Sequence, residues 1–382
     1  MGRLNPRALA RLRETLQQHI DARRIPGAIA VVAQGGEVGQ FEALGALDPG
    51  AGTAMREDAV FRIYSMTKPL VSLAALMLAE EGRLQLVDPV AKYLPMFGAQ
   101  QVAVEEGGAM RLQPARRQAT VHDLLRHTAG LTYEFLGDSA VQRGYTAVDI
   151  ADRRRSNLAF CDVLAAQPLA HQPGSCWQYS RATDVLGTVL EVASGQPLGV
   201  LLRQRVFDPL GMNDTGFALA PDQWRRIAEP FAQCPDSGSP VVMMDAREVP
   251  GLESGGGGLL CTAADYLRFL QCLRGGGTLE GVRLVSRKTV EWMTADHLGD
   301  IPAMGDLLPP GHGFGLGFAV RTHTGRAPQP GSAGMYYWSG IGGTSFFVDP
   351  AEDIFAMLLT QAPNQRIFFR NLFRQLVYAA VD

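Results

Sequence analysis

The sequence predicts an α+β fold: one antiparallel sheet assembled from both ends of the chain, flanked by helices, with an all-helical lobe inserted between them. Two observations carry this expectation. Short apolar runs separated by glycine turns stand near both termini, which is the pattern of strands and hairpins. Between them, apolar residues recur at the helical period. No internal repeat or disordered tract interrupts the pattern, so residues 1–382 read as a single unit. Its sheet part takes about 1–95 and 250–382, and its helical lobe about 96–249.

The elements follow in order. Residues 8–16 form a charged amphipathic helix, and 27–34 is an almost wholly apolar run that ends at Gly35-Gly36. With 38–44 it reads as a β-hairpin. Helical periodicity then marks 65–81, 121–126, 183–193, 198–207 and 262–274. Asp152-Arg153-Arg154-Arg155 reads as a solvated helix start, and 99–120 as either a surface loop or a segment shaping a cleft entrance. Residues 314–320, 336–348 and 354–359 are strand-like, and a helix over 366–381 closes the chain.

Composition excludes several classes of function. The chain is 46% hydrophobic and 19% charged with a net charge of −3, so no basic stripe argues for nucleic acid. No apolar run is long enough to span a bilayer, and the N-terminus lacks the apolar core of a secretory signal. A cytoplasmic protein acting on a small molecule is expected; oligomeric state is not readable. The five cysteines are odd in number and not in metal-ligand spacing, and the seven histidines form no H-x-x-H or H-E-x-x-H pair. Reduced cysteines and no metal or organic cofactor are expected. Cys261 and Cys272 read as packing residues, and His127 and His171 as structural, with His127 bonding backbone.

Chemistry enters at Ser65-Met66-Thr67-Lys68. In the first turn of a helix, positions i and i+3 share a face, so the lysine amine can reach the serine hydroxyl. Serine needs an adjacent base to act as a nucleophile, and lysine can serve once burial or a neighbouring cation lowers its pKa. The helix N-terminus opposes the lysine charge and offers free N–H groups to an oxyanion. Lys68, Lys92 and Lys288 are the chain's only lysines, so roughly 0.1 such matches would arise by chance. The bland alternative is an N-cap serine beside a snorkelling lysine. A second signal is Trp177-Gln178-Tyr179-Ser180-Arg181, between a Pro173-Gly174-Ser175 turn and a helix. There Tyr179 can project its phenol into a cleft, and near Lys68 a depressed phenol pKa would suit general-base or relay work. A third is Trp338-Ser339-Gly340-Ile341-Gly342-Gly343-Thr344. Its glycines allow close approach, and an edge strand there could complete an oxyanion hole; a bulge or tight hairpin is the alternative.

Together, Ser-x-x-Lys, then Tyr-Ser about a hundred residues on, then a Trp-Ser-Gly strand near the end, resemble the serine β-lactamase and penicillin-binding-protein fold. The linking segments Leu124 to Leu131, Pro209 to Thr215 and Ser254 to Leu259 resemble the class C β-lactamase-like group, and within it the family VIII carboxylesterases. The resemblance runs from about Pro26 to about Thr360. It implies that Ser65 is the acylated nucleophile, with Lys68 beside it and Tyr179 as its acid/base partner; which of the two takes the first proton stays open. It further implies an oxyanion hole from the N–H groups of Ser65 and Ile341. Substrate-binding positions would be Tyr133 and Trp338 as walls, with Ser339 and Gly340 beside them.

Two departures bear on substrate. β-Lactamases of this group and D-Ala-D-Ala peptidases usually carry Asn two residues after the tyrosine, where this chain has Arg181, and Lys-Thr-Gly or a close basic variant where it has Trp338-Ser339-Gly340. Losing that lysine removes a charge-assisted contact to a carboxylate, typically about 1.5–3 kcal/mol. Arg181 compensates only if it points into the cleft. The expectation is hydrolysis of small, short-chain carboxylic esters through an acyl-enzyme at Ser65. The alternatives are a β-lactamase or D-Ala-D-Ala peptidase, an acyltransferase, or a non-enzymatic penicillin-binding sensor. A Ser-His-Asp esterase is disfavoured because no serine sits in a G-x-S-x-G elbow.

Overall fold

In the computed structural model, described for residues 4–106 and 109–382, the centre is an eight-stranded antiparallel sheet. Its order runs His312–Phe314, Ala319–Arg321, Tyr336–Ser339, Ser345–Asp349, Ile354–Leu359, Gly27–Gln34, Glu37–Asp48, Thr53–Ala54. The N-terminal hairpin therefore joins the C-terminal strands through one pairing, Ile29 to Gln34 against Leu359 to Ile354. Both strands of that central pair are buried on both faces, which their unbroken apolar runs require. The terminal helices Pro6–Asp21 and Arg366–Tyr378 pack on each other and on the sheet.

The helix Thr67–Glu80 is the central support of the site. Every residue from Thr67 to Leu78 is buried, as an apolar-all-round helix must be. It packs against Ala182–Ser194, so the two helices that follow Ser65 and Tyr179 in sequence are fixed to one another. A short ladder of Val60–Arg62 with Leu260–Thr262 ties the approach to Ser65 to the end of the glycine-rich segment 255–258. All five cysteines are free and buried. No single helix among the described residues is long and apolar enough to cross a membrane.

Several elements differ from the sequence expectation, each for a local reason. Residues 314–320 form two short strands instead of one, because Gly315 and Gly317 break the run: Gly317 has φ +102° and passes close to Ser72. The 336–348 run is likewise a tight hairpin that turns at 340–344. The Tyr336–Ser339 strand lies inside the sheet and not at its edge, but its ladder with Ala319–Arg321 covers only Tyr336 and Tyr337. Trp338 and Ser339 pair on one side alone. Helix 198–207 is α-helical only to Leu202 and continues as one wide π turn. Asp152 to Arg155 is a turn in which Asp152 pairs with Arg154, and the helix starts later at Asn157, capped by Ser156. The 99–120 stretch folds into the hairpin Gln101–Glu106/Ala109–Pro114. Residues 1–3, within the N-terminal segment read for a signal, and 107–108, within that stretch, lie outside the described residues.

Candidate active site

Ser65 sits in a single 3-10 turn, Tyr64–Met66, at the mouth of the buried helix. The turn is entered through Tyr64 at φ +44°, a left-handed conformation that a bulky residue adopts only when its surroundings enforce it. Those surroundings are visible. The Tyr64 hydroxyl accepts the Met244 N–H at 3.0 Å, and Ile63 N–H reaches Leu259 O at 3.1 Å. The strained turn projects the Ser65 side chain out of the helix and into the cluster.

There the predicted trio meets. The Tyr179 hydroxyl donates to Ser65 Oγ at 2.6 Å, and Lys68 Nζ stands 3.4 Å from the same oxygen. Lys68 Nζ also donates to Gly256 O at 2.6 Å and Tyr133 Oη at 3.0 Å, and lies 4.5 Å from the Tyr179 ring centre. Burial brings the Lys68 amine from its ordinary 10.5 down to about 7; Asp184 opposes that shift and Arg181 adds to it. A neutral amine has two N–H donors and one lone pair. Gly256 O and Tyr133 Oη take the two donors, which leaves the lone pair for the Ser65 proton. Tyr179 corrects the sequence expectation of a depressed phenol. Burial pushes it up, against weaker opposing bonds from Ser65 and Trp338, so it rests as a protonated donor.

The third motif arrives from the opposite side. Trp338 Nε1–H donates to the Tyr179 oxygen at 3.2 Å, with the two rings 5.1 Å apart, so the indole fixes the phenol besides walling the cleft. Ser339 Oγ accepts from Arg370 on the C-terminal helix. Gly340 is required by space: a Cβ there would lie 2.5 Å from Ile63 O. That approach docks the 340–344 turn beside the turn holding Ser65. Ile341 is partly exposed at its tip. Among the described residues, neither Ser65 N–H nor Ile341 N–H donates an intramolecular hydrogen bond, so both are available to an oxyanion.

Sequence reasoning missed a supporting layer. The Asp184 carboxylate accepts from Ser254 Oγ and, at 3.0 Å, from Gly256 N–H, which orients the Gly256 carbonyl towards Lys68. Gly255 and Gly256 permit this, since a Cβ would fall 2.5 Å from Thr183 O or 2.6 Å from Asp184 Oδ2. The glycine run at 255–258 was the available signal. Tyr133 also does more than line a wall, because its hydroxyl is a Lys68 partner. His127 is buried, and its ring bonds the Ser180 hydroxyl at 3.2 Å instead of the expected backbone and packs 4.9 Å from the Tyr179 ring. His171 is half-buried at the 171–174 turn.

Arg181 does not point into the cleft as a free cation. Its guanidinium pairs with Glu134 at 2.5 Å and Asp184 at 3.7 Å, under Tyr133. Burial disfavours its charge, but the two carboxylates outweigh it and hold its pKa above the ordinary value. Arg181→Met would leave both carboxylates uncompensated; we expect urea unfolding to show a loss of about 3–5 kcal/mol. A loss under about 1 kcal/mol would mean the triad is not a structural unit.

The Beta-lactamase family model matches residues 12–379. This chain belongs to the beta-lactamase family. Esterase EstB of Burkholderia gladioli is 37% identical over 375 residues, spanning 92% of this chain and 90% of its own. Protein Rv1367c of Mycobacterium tuberculosis is 36% identical over 357 residues, spanning 91% and 88%. Among solved structures, EstCE1, described as a hydrolase with promiscuous acyltransferase activity, superposes with a TM-score of 0.81 at 29% identity, covering 97% of this chain and 98% of its own. The third motif of this chain carries a neutral indole that holds Tyr179, and Arg181 is consumed by internal ion pairs.

Proposed function

We propose that this chain is a serine carboxylesterase that hydrolyses small, short-chain carboxylic esters through an acyl-enzyme at Ser65. The observation that carries the reading is the ordered chain of contacts from Tyr179 through Ser65 Oγ to Lys68. Lys68, poised near neutrality, takes the Ser65 proton as Oγ adds to the ester carbonyl. The oxygen that becomes negative is held by the Ser65 and Ile341 N–H groups. On collapse, the carbonyl re-forms, the C–O bond to the alcohol breaks, and Tyr179 gives its proton to the departing alkoxide. Lys68 returns the proton taken from Ser65 to Tyr179, which resets both groups. Water then adds to the acyl-enzyme by the same route reversed, releasing the acid and the free serine.

EstB, named an esterase, supports the ester-hydrolase reading. The third motif supports a neutral substrate, since Trp338 replaces the lysine that would meet a carboxylate and Arg181 is already neutralised. EstCE1 favours a second outcome from the same acyl-enzyme, transfer to an alcohol in place of water. Hydrolysis of p-nitrophenyl butyrate and nitrocefin, measured side by side, tests the proposal. We expect kcat/KM for the ester to exceed that for the lactam by at least about tenfold. Comparable or faster nitrocefin turnover would replace the esterase reading with a β-lactamase.

A further inference from the structure

Tyr179 rides on a segment without regular structure: residues 178–180 lie between an isolated bridge at Trp177 and the helix Ala182–Ser194. A reacting group on such a segment keeps its geometry only through pins from elsewhere. The hydroxyl end is held by Ser65 Oγ and Trp338 Nε1. The root is gripped by His127 through three contacts. The His127 carbonyl accepts the Gln178 N–H at 3.0 Å, its ring packs 4.9 Å from the Tyr179 ring, and its Nδ1 bonds the Ser180 hydroxyl at 3.2 Å. One residue thus holds three consecutive residues, with the tyrosine in the middle.

His127 is itself firmly based. Its neighbour Thr128 is tied back to the helix Val121–Leu125, by N–H to Asp123 O at 2.8 Å and by hydroxyl to the Asp123 carboxylate at 2.7 Å. That carboxylate also accepts from Thr120, Arg117 and Arg126. Two features of His127 are unfavourable in themselves. Its backbone is left-handed at φ +57°, and its Nε2 is buried without an intramolecular hydrogen bond among the described residues. Burial, with the Lys68 charge adding to it, holds the imidazole well below its ordinary pKa, so the ring is neutral. As core filling, a ring bonded on one side serves no better than an apolar one. What the arrangement secures is the grip on 178–180.

We propose that His127 is a positioning residue for the reaction, holding the Tyr179 phenol where it meets the departing alcohol. The inference rests on the reading above, in which Tyr179 gives its proton to the leaving group. How much that proton matters depends on the alcohol. Ethoxide is a strong base and needs the proton to leave, whereas p-nitrophenolate leaves without one. A misplaced phenol should therefore slow an alkyl ester far more than a nitrophenyl ester of the same acid. A residue that only supports the fold would slow both alike.

Ethyl and p-nitrophenyl butyrate pass through one acyl-enzyme, so kcat/KM for each reports acylation and the pair isolates the leaving group. Tyr179→Phe sets the scale: it should lower kcat/KM for the ethyl ester at least about 10²-fold more than for the nitrophenyl ester. His127→Asn tolerates the left-handed backbone but lacks the ring, and should show the same selectivity at about tenfold or more. Ser180→Ala removes only the hydroxyl contact and should show about threefold. It carries the test alone if the His127 variant does not fold. In both variants the rising pH limb of kcat/KM should keep its midpoint at about 7, since Lys68 keeps its bonds to Gly256 and Tyr133. Equal losses on the two esters in either folded variant, while Tyr179→Phe stays selective, would overturn the proposal. So would a shifted midpoint, which would mean that His127 acts on Lys68. Failure of the underlying reading would look different: Tyr179→Phe would itself slow both esters equally, and that would remove both.

Discussion

Ser65→Ala is expected to lower kcat for p-nitrophenyl butyrate by at least about 10⁴-fold, because the covalent route disappears with the hydroxyl. Fold and binding should survive. Ser65 is only partly buried, its backbone turn is held by Tyr64 and Ile63, and Lys68 keeps its bonds to Gly256 and Tyr133. Thermal unfolding should therefore coincide with the wild type. A burst of nitrophenol from the wild type, stoichiometric with enzyme and missing from the variant, would report the acyl-enzyme directly. Ester turnover that persists in Ser65→Ala at a tenth of the wild-type rate or more would mean the nucleophile lies elsewhere.

Lys68 gives the second large effect, with a pH signature. As the base, it works only when neutral, so kcat/KM should rise with pH through a midpoint near 7. Lys68→Met should lower kcat at least about 10²-fold and remove that rising limb. The same group shapes stability. In the unfolded chain the lysine holds its proton up to about 10.5, whereas in the fold it releases it at about 7. Between those values the unfolded state binds more protons, so stability rises with pH, by about 1.4 kcal/mol per pH unit from this residue alone. The contribution is full above 10.5 and is lost as pH falls to about 7. Lys68→Met should flatten that slope in urea melts from pH 7 to 9. A slope equal to the wild type would show that Lys68 is not the buried group responsible.

Legibility in the sequence followed the range of the interactions. Ser65 and Lys68 were readable because both sit on one helix turn, where spacing fixes geometry. The sheet was readable because alternating apolar runs and glycine turns are local patterns; its errors fell at Gly315, Gly317 and the 340–344 turn, where glycine breaks an otherwise continuous run. What spacing does not encode is which distant backbone reaches a side chain. Gly256 O on Lys68, Asp184 behind Gly256, and Glu134 on Arg181 all join segments that meet only in three dimensions. Proximity to Lys68 suggested a lowered Tyr179 phenol, and burial reversed the sign.

The pairing of Gly27–Gln34 with Ile354–Leu359 has a consequence for synthesis. The nucleophile leaves the ribosome early, but the strand that closes the sheet and the turn that carries Ile341 come at the far end of the chain. Until then Ser65 has no oxyanion partner and the first hairpin has an open, almost wholly apolar edge. Such long-range closure is slow and leaves sticky surface exposed in the meantime. A nascent chain of this protein is thus chemically silent and in need of protection, and becomes an enzyme only when its last strand slots in.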